Sequence, residues 1–147
     1  MTTSAAILLV EDNEDDVFLM KRAVHAAGIV NPLHIVEDGQ QAIDYLSGNG
    51  VFAARDKYPV PAIVFLDLKL PIKGGLQVLE WIRTQKQLEG LVVVVLTSSN
   101  EPSDLRDAYK LGANSYVVKP PTAAQLIDLT KAFKWYWLQF NRFEKVF

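Results

Sequence analysis

The chain has 147 residues, half of them hydrophobic and 22% charged, a balance that suits one globular domain and excludes wholesale disorder. Its formal net charge of -2 lacks the basic excess of a nucleic-acid binder, and the absence of cysteine excludes disulfides, thiolate metal sites and cysteine nucleophiles. After a start without basic residues, Met1-Thr2-Thr3-Ser4, the apolar run Ala5 to Val10 is too short for a signal peptide or a spanning segment, so a cytoplasmic protein with no membrane partner is expected.

In chain order, strands and helices alternate. Residues 6–10 are a continuous apolar run, the pattern of a strand buried on both faces. Asn13 is placed to cap a helix from about Glu14 to Ala27, ended by Gly28, with Val17, Met20, Ala23, Val24 and Ala27 on one face. Pro32 precedes a second strand, Leu33 to Val36, and Asp38-Gly39 turns into a helix carrying Ala42, Ile43, Tyr45 and Leu46. Gly48, Gly50, Pro59 and Pro61 predict a loop from 48 to 61. Strand three is Ala62 to Leu66. A loop around Pro71, Gly74 and Gly75 leads into a third helix from about Leu76 to Gln87, with Val78, Leu79 and Ile82 on its buried side. Strand four is Leu91 to Leu96, and Pro102 suits the first turn of a fourth helix that ends near Gly112. Strand five is Ser115 to Val118, and Thr122 caps the last helix. This alternation predicts a parallel sheet with helices on both faces. No repeat, low-complexity tract or interdomain linker interrupts it.

Four of the strands end in residues suited to phosphoryl chemistry: Glu11-Asp12, Asp67, Thr97 and Lys119-Pro120. Parallel strands bring them to one sheet edge, where open α/β folds bind their ligands. Asp67 and Asp12 are natural oxygen ligands for Mg²⁺, with Glu11 as a further acid beside them. Lys119 and the Thr97 hydroxyl can serve a phosphoryl group's other oxygens, stabilising it by position and charge. A carboxylate nucleophile would form an acyl phosphate. Taken singly, each residue has an ordinary use: acids favour a helix N-terminus, Thr97 a turn, Lys119 the surface and Tyr116 the core. Their joint order carries the functional reading. His25 and His34 lack metal-ligand spacing and are expected to be structural.

LLVEDN around the acidic pair, VFLDLKLP around Asp67, VVVLTSS around Thr97 and YVVKPP around Lys119, all in this order, resemble the receiver domain of two-component response regulators from Ala6 to about Leu138. The resemblance implies a single receiver domain over residues 1–147. Its fold would be flavodoxin-like and doubly wound, a five-stranded parallel sheet of strand order 2-1-3-4-5. It implies that Asp67 accepts phosphate from a histidine kinase, assisted by Thr97 and Lys119. It implies Mg²⁺ held by Asp12, Asp67 and the backbone carbonyl of Lys69, with Glu11 in the outer shell, and a cis peptide before Pro120. Thr97 and Tyr116 map onto the family's switch pair, which would re-sort the surface of helix four, strand five and helix five. The chain departs from the pattern at Gly74, where an acid or amide is common. Little effect is expected there, because Gly75 retains the turn's backbone freedom. Lys69 lies two residues after the acceptor, where the family modulates phosphoryl lifetime.

The last helix is aromatic and extends into a tail from about 135. At 100° per residue Leu126, Leu129, Phe133, Tyr136, Trp137 and Phe140 form one buried stripe, while Ile127, Trp135 and Leu138 point elsewhere and predict a partner surface. The layout also looks like the stand-alone regulators that partner phytochrome kinases. That resemblance implies a homodimer through the last helix or the face of helices four and five. Two other functions compete. A small-molecule phosphatase with an Asp nucleophile typically needs a second acid two residues after it, where this chain has Lys69. A degenerate receiver, acting only as a binding module, would not need the full acidic set with Lys119.

Overall fold

The computed structural model describes residues 5–144. Five strands, β1 (Ile7–Val10), β2 (Leu33–Val36), β3 (Ile63–Leu66), β4 (Val92–Thr97) and β5 (Ser115–Val118), form one parallel sheet of order β2-β1-β3-β4-β5. The expected strand order is therefore the observed one. Helices α1 (Glu14–Ala26), α2 (Gly39–Ser47), α3 (Gly75–Thr84), α4 (Pro102–Lys110) and α5 (Ala123–Phe133) connect and cover the strands.

Alternation of side chains along each strand divides the core in two. One face of the sheet joins Leu8, Val10, Val64, Leu66, Val93 and Val95 to α2 and α3, through Tyr45, Leu46, Val78, Leu79 and Ile82. The other joins Ile7, Leu9, Ile63, Phe65, Val94 and Leu96 to α1 and α5, through Met20, Ala23, Leu126 and Phe133. Burial on both faces explains why β1, β3 and β4 read as unbroken apolar runs. The caps act as the sequence predicts. The side chains of Asn13, Asp38 and Thr122 accept from the backbone N–H groups of Asp16, Gln41 and Gln125. No helix among the described residues is long and apolar enough to cross a membrane.

Three stretches differ from the expectations. The loop 48–61 contains a 3₁₀ turn, Gly50–Ala53, because Phe52 and Tyr58 pack on the buried Tyr45 ring (centroids 5.0 and 6.0 Å apart). Arg55 ties that loop to the end of α2 by donating to the carbonyls of Tyr45, Leu46 and Tyr58. Burial pushes the Tyr45 hydroxyl up to about 12. The third helix ends at Thr84, and a separate 3₁₀ turn, Lys86–Leu88, follows an extended Gln85.

The third difference is at the chain's end. Residues Lys134–Phe140 are π-helical, continuing α5 with more than the usual residues per turn. The expected 100° stripe therefore breaks after Phe133. Leu138, placed off the stripe, is buried at 3% exposure; Ile127, also placed off it, packs against the core from within α5, ahead of the change of pitch. Tyr136 and Phe140, placed on the stripe, are 58% and 73% exposed. Trp137 stays on the core side and Trp135 is exposed, as expected.

The loop between β3 and α3 is closely packed around Gly75. A Cβ on Gly75 would lie 2.2 Å from the Asp67 carbonyl oxygen and 2.6 Å from Leu68 Cα. Gly75 does not have a positive φ. Close approach, and not the backbone freedom inferred from the sequence, requires glycine here. A Cβ on Gly74 would meet nothing nearer than 3.7 Å, so that position tolerates a larger residue. Ile72 is the one non-glycine with positive φ (70°) among the described residues, an unfavourable conformation for a β-branched side chain.

Gly75→Ala should lower stability by about 1–3 kcal/mol, the cost of forcing atoms into a packed site, read as a fall in the urea midpoint. Ile72→Gly should raise stability by about 0.5–1 kcal/mol. It relieves about 1–2 kcal/mol of left-handed strain, partly offset by the greater freedom of glycine in the unfolded chain.

Candidate functional site

The carboxyl ends of the strands build the site. β1 delivers Glu11 and Asp12, β3 delivers Asp67, and β5 delivers Lys119. The parallel register pairs Val10 with Leu66, and the Asp67 N–H donates to the Val10 carbonyl (3.1 Å). Glu11 and Asp67 therefore emerge side by side. One carboxylate oxygen from each of Glu11, Asp12 and Asp67 lies within 4.8 Å of the others. Glu11 and Asp67 are buried, while Asp12 is exposed and marks the opening.

Lys119 closes the cluster. Its Nζ lies 2.5 Å from Glu11 Oε1, 2.8 Å from Asp16 Oδ2 and 3.6 Å from Asp67 Oδ2. Burial pushes the Glu11 carboxyl above its usual range, against the lowering pull of the Lys119 hydrogen bond. Burial alone would lower the Lys119 pKa, but the hydrogen bonds to Asp16 and Glu11, together with the negative charges of Asp67 and Glu11, outweigh it and raise the ammonium above its ordinary value. Asp67 Oδ1 accepts from the Leu68 N–H (2.8 Å), which leaves Oδ2 on the side of Lys119. The Asp67 side chain is 9% exposed, a narrow approach to the acid.

Thr97 is the last residue of β4 and is fully buried. Its carbonyl accepts from the Lys119 N–H (2.7 Å), and its hydroxyl oxygen accepts from the Ser99 N–H (3.3 Å). Tyr116 is half-buried against the core, and its hydroxyl donates to the Ser99 carbonyl (3.0 Å). The two expected switch residues thus grip the same residue of the β4–α4 loop. Ser99 in turn donates through its hydroxyl to Asp104 on α4. Lys69 is exposed in the loop after Asp67. His25 is exposed in the last turn of α1, and His34 packs beside the Tyr45 and Tyr58 rings, away from this edge.

The structure corrects one expectation. No peptide bond among the described residues is cis, so the bond before Pro120 is trans. An X–Pro amide intrinsically prefers trans by about 0.5–1 kcal/mol. With this linkage both the backbone N–H and the ammonium of Lys119 already have partners.

The sequence reading missed Asp16. An acid in the first turn of a helix has an ordinary use against the helix dipole. Its one distinguishing signal was its position on the capped turn that follows Asp12.

Chemically, the site gathers hard oxygen donors of the kind that bind Mg²⁺ around an approachable carboxylate, with a cation at its side. Residues 7–131 match the response regulator receiver domain. The chain is 39% identical over 139 residues to the probable methanogenesis regulatory protein FilR2 of Methanothrix harundinacea, covering 92% of this chain and 85% of that protein. It is 33% identical over 133 residues to the response regulator Rcp1 of Synechocystis, covering 90% and 88%. A Mn²⁺-bound crystal structure of Rcp1 aligns with a TM-score of 0.86 at 31% identity, over 96% of this chain and 99% of that one. The phosphorylated cyanobacterial phytochrome response regulator RcpA aligns with a TM-score of 0.89 at 32% identity, over 97% and 99%. The order of the strands, the acids and the lysine at their ends, and these likenesses lead to one assignment: this chain belongs to the response regulator receiver domain family.

Proposed function

We propose that this protein signals by phosphorylation, with Asp67 accepting a phosphoryl group from the phosphohistidine of a histidine kinase. The observation that carries this reading is the meeting of the Glu11, Asp12 and Asp67 oxygens, within 4.8 Å of one another, beside an ammonium 3.6 Å from Asp67. Glu11, Asp12, Asp67 and the Lys69 carbonyl are the groups that would hold Mg²⁺. When bound, the ion supplies positive charge that offsets the negative charge of acceptor and incoming phosphate.

The chain's own groups divide the remaining work. The Leu68 N–H holds Asp67 Oδ1, so Oδ2 presents the attacking lone pair. Lys119 offers an N–H to one phosphoryl oxygen, and the Thr97 hydroxyl serves another. Movement of that hydroxyl would loosen its hold on Ser99, whose carbonyl also anchors Tyr116. This is how phosphorylation would re-sort the surface of α4, β5 and α5. The similarity to RcpA, a cyanobacterial phytochrome response regulator, supports a phytochrome-type kinase as partner. Exposed Trp135, Tyr136 and Phe140 at the end of the last helix support a homodimer formed there.

With Mg²⁺ and either acetyl phosphate or a phosphorylated kinase, the protein should acquire an acid-stable, base-labile label that Asp67→Asn abolishes. Rapid multiple turnover of a small phosphate ester would instead indicate a phosphatase. No label and no beryllofluoride binding would leave only a binding module. Light scattering at micromolar concentration should return twice the chain mass; the mass of one chain, with or without phosphodonor, would contradict the dimer.

A further inference from the structure

We infer that Asp16 is a positioning residue for the site: it holds the Lys119 ammonium beside Asp67 once a divalent cation has taken the other acids. The inference rests on the phosphoacceptor reading of Asp67 and goes beyond it. Three carboxylates surround Lys119, and two of them, Glu11 and Asp67, belong to the cluster of oxygens that would bind the cation. Asp16 does not. A bound divalent cation repels the ammonium and draws on the charge of Glu11 and Asp67. Of the acids now paired with Lys119, Asp16 alone stays wholly available to it. Without Asp16 a long, strongly hydrated lysine side chain is free to swing into solvent.

Asp16 is preorganised for this role by a closed ring of hydrogen bonds. Lys119 Nζ donates to Glu11 Oε1, and Glu11 Oε2 accepts from the Asn13 N–H (3.1 Å). Asn13 Oδ1 accepts from the Asp16 N–H (3.0 Å), and Asp16 Oδ2 accepts from Lys119 Nζ (2.8 Å). The helix cap that starts α1 thus also fixes the anchor of the lysine. An ammonium has three donors. Two go to Glu11 and Asp16, and the third remains for a phosphoryl oxygen on Asp67. The 3.6 Å separation from Asp67 Oδ2 is too long for a direct hydrogen bond and leaves room for an oxygen added to that acid.

Asp16 is part-exposed, so its removal should act at the scale of a favourable exposed ion pair, about a three- to fivefold change in binding. The test compares the parent with Asp16→Asn, which keeps the shape and the cap. Beryllofluoride, an analogue of the phosphoryl group, is titrated in saturating Mg²⁺ by calorimetry. Separately, the Lys119 ammonium resonance is recorded by ¹⁵N–¹H NMR in Mg²⁺ alone, at mildly acid pH and low temperature, where an ion-paired ammonium exchanges slowly. The inference expects the resonance in the parent and its loss in Asp16→Asn, with beryllofluoride binding at least threefold weaker. A loss of affinity smaller than threefold, tighter binding, a resonance that persists in the variant, or no resonance in the parent each overturns it. Failure of the parent itself to bind beryllofluoride would instead bring down the phosphoacceptor reading.

Discussion

Everything at the functional edge depends on one ammonium. Glu11 and Asp67 are buried acids side by side, and moving such charges out of water costs several kcal/mol each unless they are paired. Lys119 supplies the pairing charge. Removing one partner of a buried pair typically costs about 3–5 kcal/mol, because the remaining charge is stranded. The raised Glu11 carboxyl is the residue of this conflict: burial pushes it up further than the lysine pulls it down. The site is therefore assembled by compensation and not by packing alone. A divalent cation entering it would join an arrangement already selected for holding positive charge.

That compensation requires distant strands to agree. Lys119 follows β5, at one edge of the sheet, while Glu11 follows β1, three strands away. At about 4.8 Å per strand the gap is roughly 14 Å, more than a lysine side chain spans unaided. The loops must lean over the sheet edge. Backbone hydrogen bonds guide them: Lys119 N–H to the Thr97 carbonyl, Asp67 N–H to the Val10 carbonyl and Glu11 N–H to the Val36 carbonyl. Each loop's first residue is thus bonded to a neighbouring strand, so sheet register sets the direction from which each functional side chain departs. The close approach of Gly75 to the Asp67 carbonyl fixes the other side of Asp67.

The same logic explains which parts could be read from sequence. β2 and β5 lie where the apolar runs placed them, and the Asn13, Asp38 and Thr122 caps formed, because these signals are local. Glu11, Asp12, Asp67 and Lys119 were legible because they stand at the carboxyl ends of apolar runs, and parallel topology does the rest. Asp16 was not. Its partner is 103 residues away, and nothing in a helix's first turn announces it. The fate of Leu138 and Phe140 was equally hidden. A change of helical pitch after Phe133 exchanged an inward residue for an outward one without any glycine or proline to mark it. Gly75 was singled out correctly but for the wrong reason, since crowding by a neighbouring backbone leaves no local signature.

The placement of α5 joins the two ends of the molecule. Only Pro120 and Pro121 stand between Lys119 and Thr122, whose side chain caps the helix, and proline removes backbone freedom from that connection. The helix then runs back along the sheet for 11 residues, about 16 Å. It carries Leu126 and Phe133 into the same cluster as Met20 and Ala23 of α1 before reaching the π-helical segment. The exposed rings of Trp135, Tyr136 and Phe140 thus lie at the far end of a helix whose cap, Thr122, stands only three residues after Lys119. The acid that grips the Lys119 ammonium, Asp16, lies on α1, the helix against which α5 packs. The helix that follows the lysine and the helix that bears its acid anchor thus share one core.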